Sequence, residues 1–139
     1  MVWFSYHGGH SGEFCNHATS TLEDVVDAAI ARGFTHYGLS EHCPRFREAD
    51  LYPGEEALGV TGLAATFEAY VRRAVDLRAA RAGQIELLIG FETETLPPDN
   101  WLETMTGLRQ AHPFDYIVGS VHDICGQWID YSAGDTAAL

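Results

Sequence analysis

Val2-Trp3-Phe4-Ser5-Tyr6-His7-Gly8-Gly9-His10-Ser11-Gly12-Glu13-Phe14-Cys15-Asn16-His17 sets the pattern for the whole chain. Val2 to Tyr6 is aromatic and β-branched, which predicts a strand. A loop rich in glycine and histidine follows. Imidazole nitrogen is the commonest protein metal ligand, and glycines let a loop close tightly around an ion. The reading of the fold turns on whether this arrangement, a strand followed by ligand-type side chains, recurs.

It recurs three times. Phe34 to Leu39 predicts a second strand, with Ser40-Glu41-His42-Cys43-Pro44-Arg45 after it. Ile85 to Gly90 predicts a third, followed by Phe91-Glu92-Thr93-Glu94. Phe114 to Val118 predicts a fourth, followed by Gly119-Ser120-Val121-His122-Asp123. Helical periodicity fills the gaps. Leu22, Val25, Val26, Ala29 and Ile30 form one face of a helix, with Ser20 and Glu23 as its expected capping box and Gly33 as its stop. Leu63, Phe67, Tyr70, Val71, Ala74 and Leu77 form the face of a second helix, from about Thr61 to Arg81. Asn100 and Glu103 mark the start of a third, with Trp101, Met105 and Leu108 on its buried face. Residues 46–60 read as an irregular connection with a turn at Pro53-Gly54.

The order βαβαβαβ predicts an α/β fold with parallel strands and helical crossovers. In such folds the carboxyl ends of the strands meet at one face. His10, His17, Glu41, His42, Glu92 and His122 should therefore converge. They are imidazoles and carboxylates, a donor set for Zn, Mn or Fe. Six such groups exceed one tetrahedral site, which predicts two or more divalent ions. A multi-metal site can generate hydroxide at neutral pH and clamp phosphoryl oxygens.

Bulk properties narrow the field. The chain has 139 residues and a net charge of −12; all eight basic residues are arginine. That charge disfavours nucleic acid as a partner. No apolar run approaches the roughly 18 residues of a membrane span, and no basic-then-apolar leader is seen, so a cytoplasmic location is expected. Cys15, Cys43 and Cys125 are odd in number and widely spaced, which argues against a disulfide framework. Trp3, Phe4 and Trp101 are expected in the core. His36 and His112 read as structural, and Arg72, Arg73, Arg78 and Arg81 as a solvated helix face. Asp123 and Asp130 read as neighbours of the site, and Glu94 as either a residue behind the ligands or a surface residue. Arg45 and Arg47 could meet a phosphate or could lie in a solvated loop.

Four segments, His10 to Ala18, Gly38 to Pro44, Gly90 to Glu94 and Gly119 to Ile124, together resemble the PHP (polymerase and histidinol phosphatase) superfamily, its histidinol-phosphatase branch above all. The resemblance implies a distorted (β/α)7 barrel with two or three metal ions. It implies hydrolysis of a small-molecule phosphate ester, histidinol phosphate, in histidine biosynthesis. It implies metal ligation by His10, His17, His42, Glu92 and His122, and a direct catalytic part for Glu92 and His122; Arg45 is the candidate for substrate binding because arginine pairs with phosphate oxygens. Glu41 is expected one shell behind. The family's first motif is usually His-x-His, but Gly8 stands two before His10 and His7 three before it. Either His7 supplies the ligand or one position stays open. Residues 1–139 match only the N-terminal half of such a domain, whereas barrels of this kind take roughly 200 residues or more. An incomplete barrel leaves an open edge through which the chain could self-associate. Two alternatives follow: another PHP-type phosphoesterase, or an inactive partial domain that only binds metal or a partner.

Overall fold

The computed structural model describes residues 2–124 and 127–129. Three parallel strands, β1 (Phe4–Ser5), β2 (His36–His42) and β3 (Glu86–Glu92), lie in the order β1-β2-β3. Helices α1 (Leu22–Ala31) and α2 (Gly59–Ala80) connect them, and α3 (Trp101–Ala111) follows β3. A short 3-10 turn, Glu48–Asp50, lies within the connection after β2. A small antiparallel pair, β4 (Asp123–Ile124) and β5 (Gln127–Trp128), comes last.

The expected α/β class with parallel strands is thus present, with several local corrections. The capping box of α1 sits one residue later than expected: Thr21 accepts from Asp24 N, and Asp24 accepts from Thr21 N. Glu23 is instead drawn to Arg73 of α2 and to Arg81 just past its end, at 2.7 Å each. With Arg81 also on Asp27 and Arg78 on Asp115, three of the four arginines of that face are ion-paired, while Arg72 is exposed. Helix α2 starts at Gly59, and Asn100 makes no side-chain cap on α3. Gly33 ends α1 as expected, with a φ of 81° that favours glycine.

The first strand shrinks to two residues, and Trp3 and Phe4 are exposed rather than core. Trp101 is only partly covered. The physical reason lies at the edge: β1 pairs with β2 alone among the described residues, so its aromatic side chains lack a second layer. The fourth expected strand is reduced to a parallel bridge between Glu92 and Val118. Asp115 N and Val118 N do donate to Ile89 O and Phe91 O. The Ile89 N–H, however, is taken by the Asp115 carboxylate at 2.8 Å, which interrupts the ladder.

The core lies between the helices and one face of the sheet. Leu22, Val26 and Ala29 of α1 and Phe67, Tyr70, Val71, Ala74 and Leu77 of α2 meet Leu39, Leu87, Ile89 and Phe91 of the strands. Met105 and Phe114 complete it. Because strand side chains alternate, Gly38, Ser40 and His42 share the other face with Gly90 and Glu92. Tyr116 covers the two glycines, and its hydroxyl donates to Leu39 O at 3.0 Å. A Cβ at Gly90 would come within 2.6 Å of the Tyr116 ring.

Candidate metal centre

Both β2 and β3 run two or three residues further than the sequence suggested. Their register therefore decides the centre of the site, because His42 is the direct partner of Glu92. The His7–His17 loop reaches the same place by other anchors. Gly9, at φ 90°, allows the reversal after His7. Gly12 N donates to Ser20 O, and Glu13 accepts from Leu22 N at 2.6 Å, tying the loop to the start of α1.

The result is a ring of imidazoles around the buried Glu92 carboxylate. His10 Nε2 lies 3.1 Å from Glu92 Oε2 and His42 Nδ1 lies 3.0 Å from it. His122 Nε2 is 3.5 Å and His7 Nε2 4.0 Å from Oε1. Ser120 donates to Oε1 at 2.5 Å. The rings of His10 and His42 stack with centroids 4.2 Å apart, and His17 packs edge-on against both. Three overlapping sets of donors could each hold an ion: His10, His17 and His42; His7, His10 and Glu92; His42, Glu92 and His122. His7, His10, His17, His42, Glu92 and His122 all line one cavity of about 700 Å³.

The far nitrogens are held from behind. His7 Nδ1 lies 2.8 Å from Ser40 Oγ, His10 Nδ1 3.3 Å from Glu41 Oε2, and His122 Nδ1 3.0 Å from both oxygens of Glu94. Glu41 is itself fixed by Ser11, whose N–H and hydroxyl both donate to it at 2.8 Å.

These residues suit a divalent cation. The buried His42 Nδ1 and Glu92 Oε2 are close, yet neither forms a hydrogen bond of good geometry. Buried polar atoms without a partner are costly, and a cation between them would satisfy both. The electrostatics agree. Burial would raise the Glu92 carboxyl, but His10, His42 and Ser120 outweigh it and hold it well below the usual carboxylate range. For His10, burial works against the charged form, but Glu41 and Glu92 reverse that and push its pKa up to about 9. Burial and the neighbouring His42 and His10 lower His17.

A pH prediction follows for the metal-free chain. The folded-state value of His10 lies above its unfolded value of 6.5. Its pairing therefore stabilises fully below that value and is lost as pH rises through about 9. In urea unfolding, the stability difference between the metal-free chain and His10→Gln should be largest near pH 6 and smaller at pH 10.

The structure also bears on position 8. A Cβ on Gly8 would collide with the Tyr37 ring, whose hydroxyl donates to Gly8 O. There is no room for a histidine there, while His7 already faces Glu92. Gly8→Ala should destabilise by about 1–3 kcal/mol through overpacking, read by urea unfolding.

Arg45 is a correction. It is 3% exposed, does not line the cavity, and pairs with Glu55 and Glu94, so it is neither in a solvated loop nor open to a phosphate. Arg47 pairs with Asp50 and Asp99. His36 and His112 lie elsewhere, paired with Glu86 and Glu68. Cys125 and Asp130 fall outside the described residues. Sequence reasoning missed Ser40, Tyr52 and Ser120 and left Glu94 undecided between site and surface. Glu94 carried one usable signal, since a residue two after Glu92 falls on the same side of an extended chain.

Comparison with known proteins places this arrangement. The PHP domain family profile matches residues 7–137. A probable histidinol-phosphatase of Schizosaccharomyces pombe is 44% identical over 123 residues, covering 88% of this chain and 40% of the relative. The histidinol-phosphatase of Saccharomyces cerevisiae is 29% identical, covering 90% and 41%. The chain thus spans about 40% of the length of these curated relatives. Among solved structures, a candidate histidinol phosphatase from Listeria monocytogenes superposes with a TM-score of 0.70 at 28% identity, over 88% of this chain and 48% of that one. Histidinol phosphate phosphatase from Lactococcus lactis, in complex with zinc, L-histidinol and phosphate, gives 0.63 at 20% identity, over 92% and 41%; at that identity the likeness concerns the fold alone.

Proposed function

Since the chain belongs to the PHP domain family, we propose that it is the metal-holding N-terminal part of a phosphomonoesterase of the histidinol-phosphatase type. The observation that carries this is the buried Glu92 carboxylate with the imidazoles of His10, His42, His122 and His7 turned toward it at one end of a parallel sheet. We assign His7, His10, His17, His42, Glu92 and His122 as ligands of two or three divalent ions, zinc, manganese or iron. Glu92 would hold them with its carboxylate, and His7 would serve where the family usually places the histidine two before His10. Ions held there would supply a Lewis acid that activates water and offsets charge on a phosphoryl group.

The protein's own contribution is orientation and burial. Ser40 and Glu41 hold the rings of His7 and His10, and Ser120 turns the Glu92 carboxylate. The cavity, about 700 Å³ and lined also by Asn16, Tyr52 and Pro53, has room for a small phosphate ester. A nucleic-acid partner is not part of this reading, since Arg45, Arg47, Arg73, Arg78 and Arg81 are engaged by carboxylates. No helix among the described residues is long and apolar enough to cross a membrane. Residues 1–139 are read as one partial domain, its sheet as part of a distorted seven-stranded barrel. The exposed Val2, Trp3, Phe4 and Tyr6 then mark the edge where further strands would close.

A substrate panel tests the assignment. Metal-loaded chain, alone and mixed with the remaining part of a relative's domain, is offered histidinol phosphate, nucleoside monophosphates and p-nitrophenyl phosphate. Preference for histidinol phosphate supports the reading. Preference for nucleotides would favour another PHP phosphoesterase. Metal binding with no hydrolysis in either format would leave a binding module.

A further inference from the structure

Behind the ring of candidate ligands lies a second ion network, built on a buried carboxylate and a buried guanidinium. Glu94 is 2% exposed. Both its oxygens lie 3.0 Å from Nδ1 of His122. Tyr52 donates its hydroxyl to Glu94 Oε2 at 2.7 Å, and Arg45 Nη1 stands 3.3 Å from Oε1. Arg45 in turn donates to both oxygens of Glu55, at 3.1 and 3.3 Å. Its guanidinium lies 3.8 Å over the Tyr52 ring. The Tyr52 N–H closes the circuit by donating to Glu55 at 2.8 Å.

An ionised carboxylate can only accept hydrogen bonds. Facing Nδ1, it keeps the imidazole proton there and leaves the Nε2 lone pair directed at Glu92. A buried carboxylate would be costly alone, and the equally buried Arg45 offsets its charge. We propose that Glu94, clamped by Arg45 and Tyr52, is a positioning residue that fixes the His122 ring and tautomer so that Nε2 serves as a cation ligand. The proposal deepens the metal reading above and rests on it. It also gives Arg45 a role in this chain other than substrate contact: the cation tethers the Tyr52–Glu55 segment to a ligand of the centre. Outer partners of this kind change metal affinity by roughly 10–100-fold when removed.

The test uses the whole chain, labelled with nitrogen-15 and stripped of metal, at a pH raised until the ring-nitrogen shifts of His122 stop changing, so that its imidazole is neutral. Long-range proton–nitrogen correlation of His122 should show Nδ1–H in the unsubstituted chain. Glu94→Ala should shift it toward Nε2–H and weaken zinc binding, measured by competition with a chelator, by about 10–100-fold. Glu94→Gln, whose carbonyl can still accept from Nδ1, should keep the tautomer and lose less affinity, which separates positioning from misfolding. An unchanged tautomer in Glu94→Ala with zinc affinity within about twofold of the unsubstituted chain would overturn the proposal. Failure of the unsubstituted chain to bind zinc would overturn the metal reading and the ligand role with it. The tautomer pair, read without metal, still separates that failure from failure of the clamp.

Discussion

Glu92→Gln should strip the centre of its metal, lowering zinc affinity at least about 100-fold. No other carboxylate among the described residues lies within 4.0 Å of as many of the candidate imidazoles. Its two oxygens face His10, His42, His122 and His7, and Ser120 fixes its orientation. Glutamine has nearly the same shape but replaces one oxygen with a donor. It thereby removes the one negative charge these imidazoles share, and turns an N–H toward nitrogens that would otherwise hold an ion. The ring geometry should survive, because Ser40, Glu41 and Glu94 hold the histidines from behind. Zinc competition should therefore show the loss while the circular dichroism spectrum stays unchanged. If affinity falls less than tenfold, Glu92 is not the bridging group, and the ligand set must centre on His10, His17 and His42.

Phe91→Ala should cost about 3–5 kcal/mol of folding stability. Phe91 is fully buried between Gly90 and Glu92, with its ring 4.8 Å from that of Phe114 and 6.0 Å from that of Phe67. Those contacts join β3 to α2 and to the segment that bridges Glu92 to Val118. Removing the ring leaves a cavity that three separate elements would have to collapse to fill. A domain of this size has on the order of 5–15 kcal/mol in hand, so a third or more would go. Urea unfolding of the metal-free chain reads the loss. Because Glu92 is the next residue, zinc affinity should weaken as well. A destabilisation below about 1 kcal/mol would mean that Phe91 does not hold these layers together.

These expectations show which parts of the fold the sequence made legible. Helices α1 and α2 were readable because burial repeats at helical spacing, a local signal in Leu22, Val26 and Ala29 and again in Phe67, Tyr70, Ala74 and Leu77. The convergence of His10, His17, His42, Glu92 and His122 was readable because parallel strands put their carboxyl ends together. The register that sets His42 beside Glu92 was not, since it depends on pairing across about 50 residues. The fourth strand misled for a similar reason: its apolar pattern is real, but the Asp115 side chain takes a ladder position that no local pattern reveals. Arg45 was misjudged because an arginine in a charged loop looks solvated or phosphate-seeking. Its actual partners, Glu55 and Glu94, lie ten and 49 residues away. The exposed Trp3 and Phe4 follow from the edge position of β1 rather than from anything in their own composition.

The central claim is that four separated segments of this chain assemble a centre for divalent metal. The most direct test is the metal content of the purified chain after loading with zinc, manganese or iron(II) and exhaustive dialysis, measured by plasma mass spectrometry. The account predicts at least one tightly held ion per chain, absent from Glu92→Gln. A correctly folded chain that retains none of the three metals would contradict it.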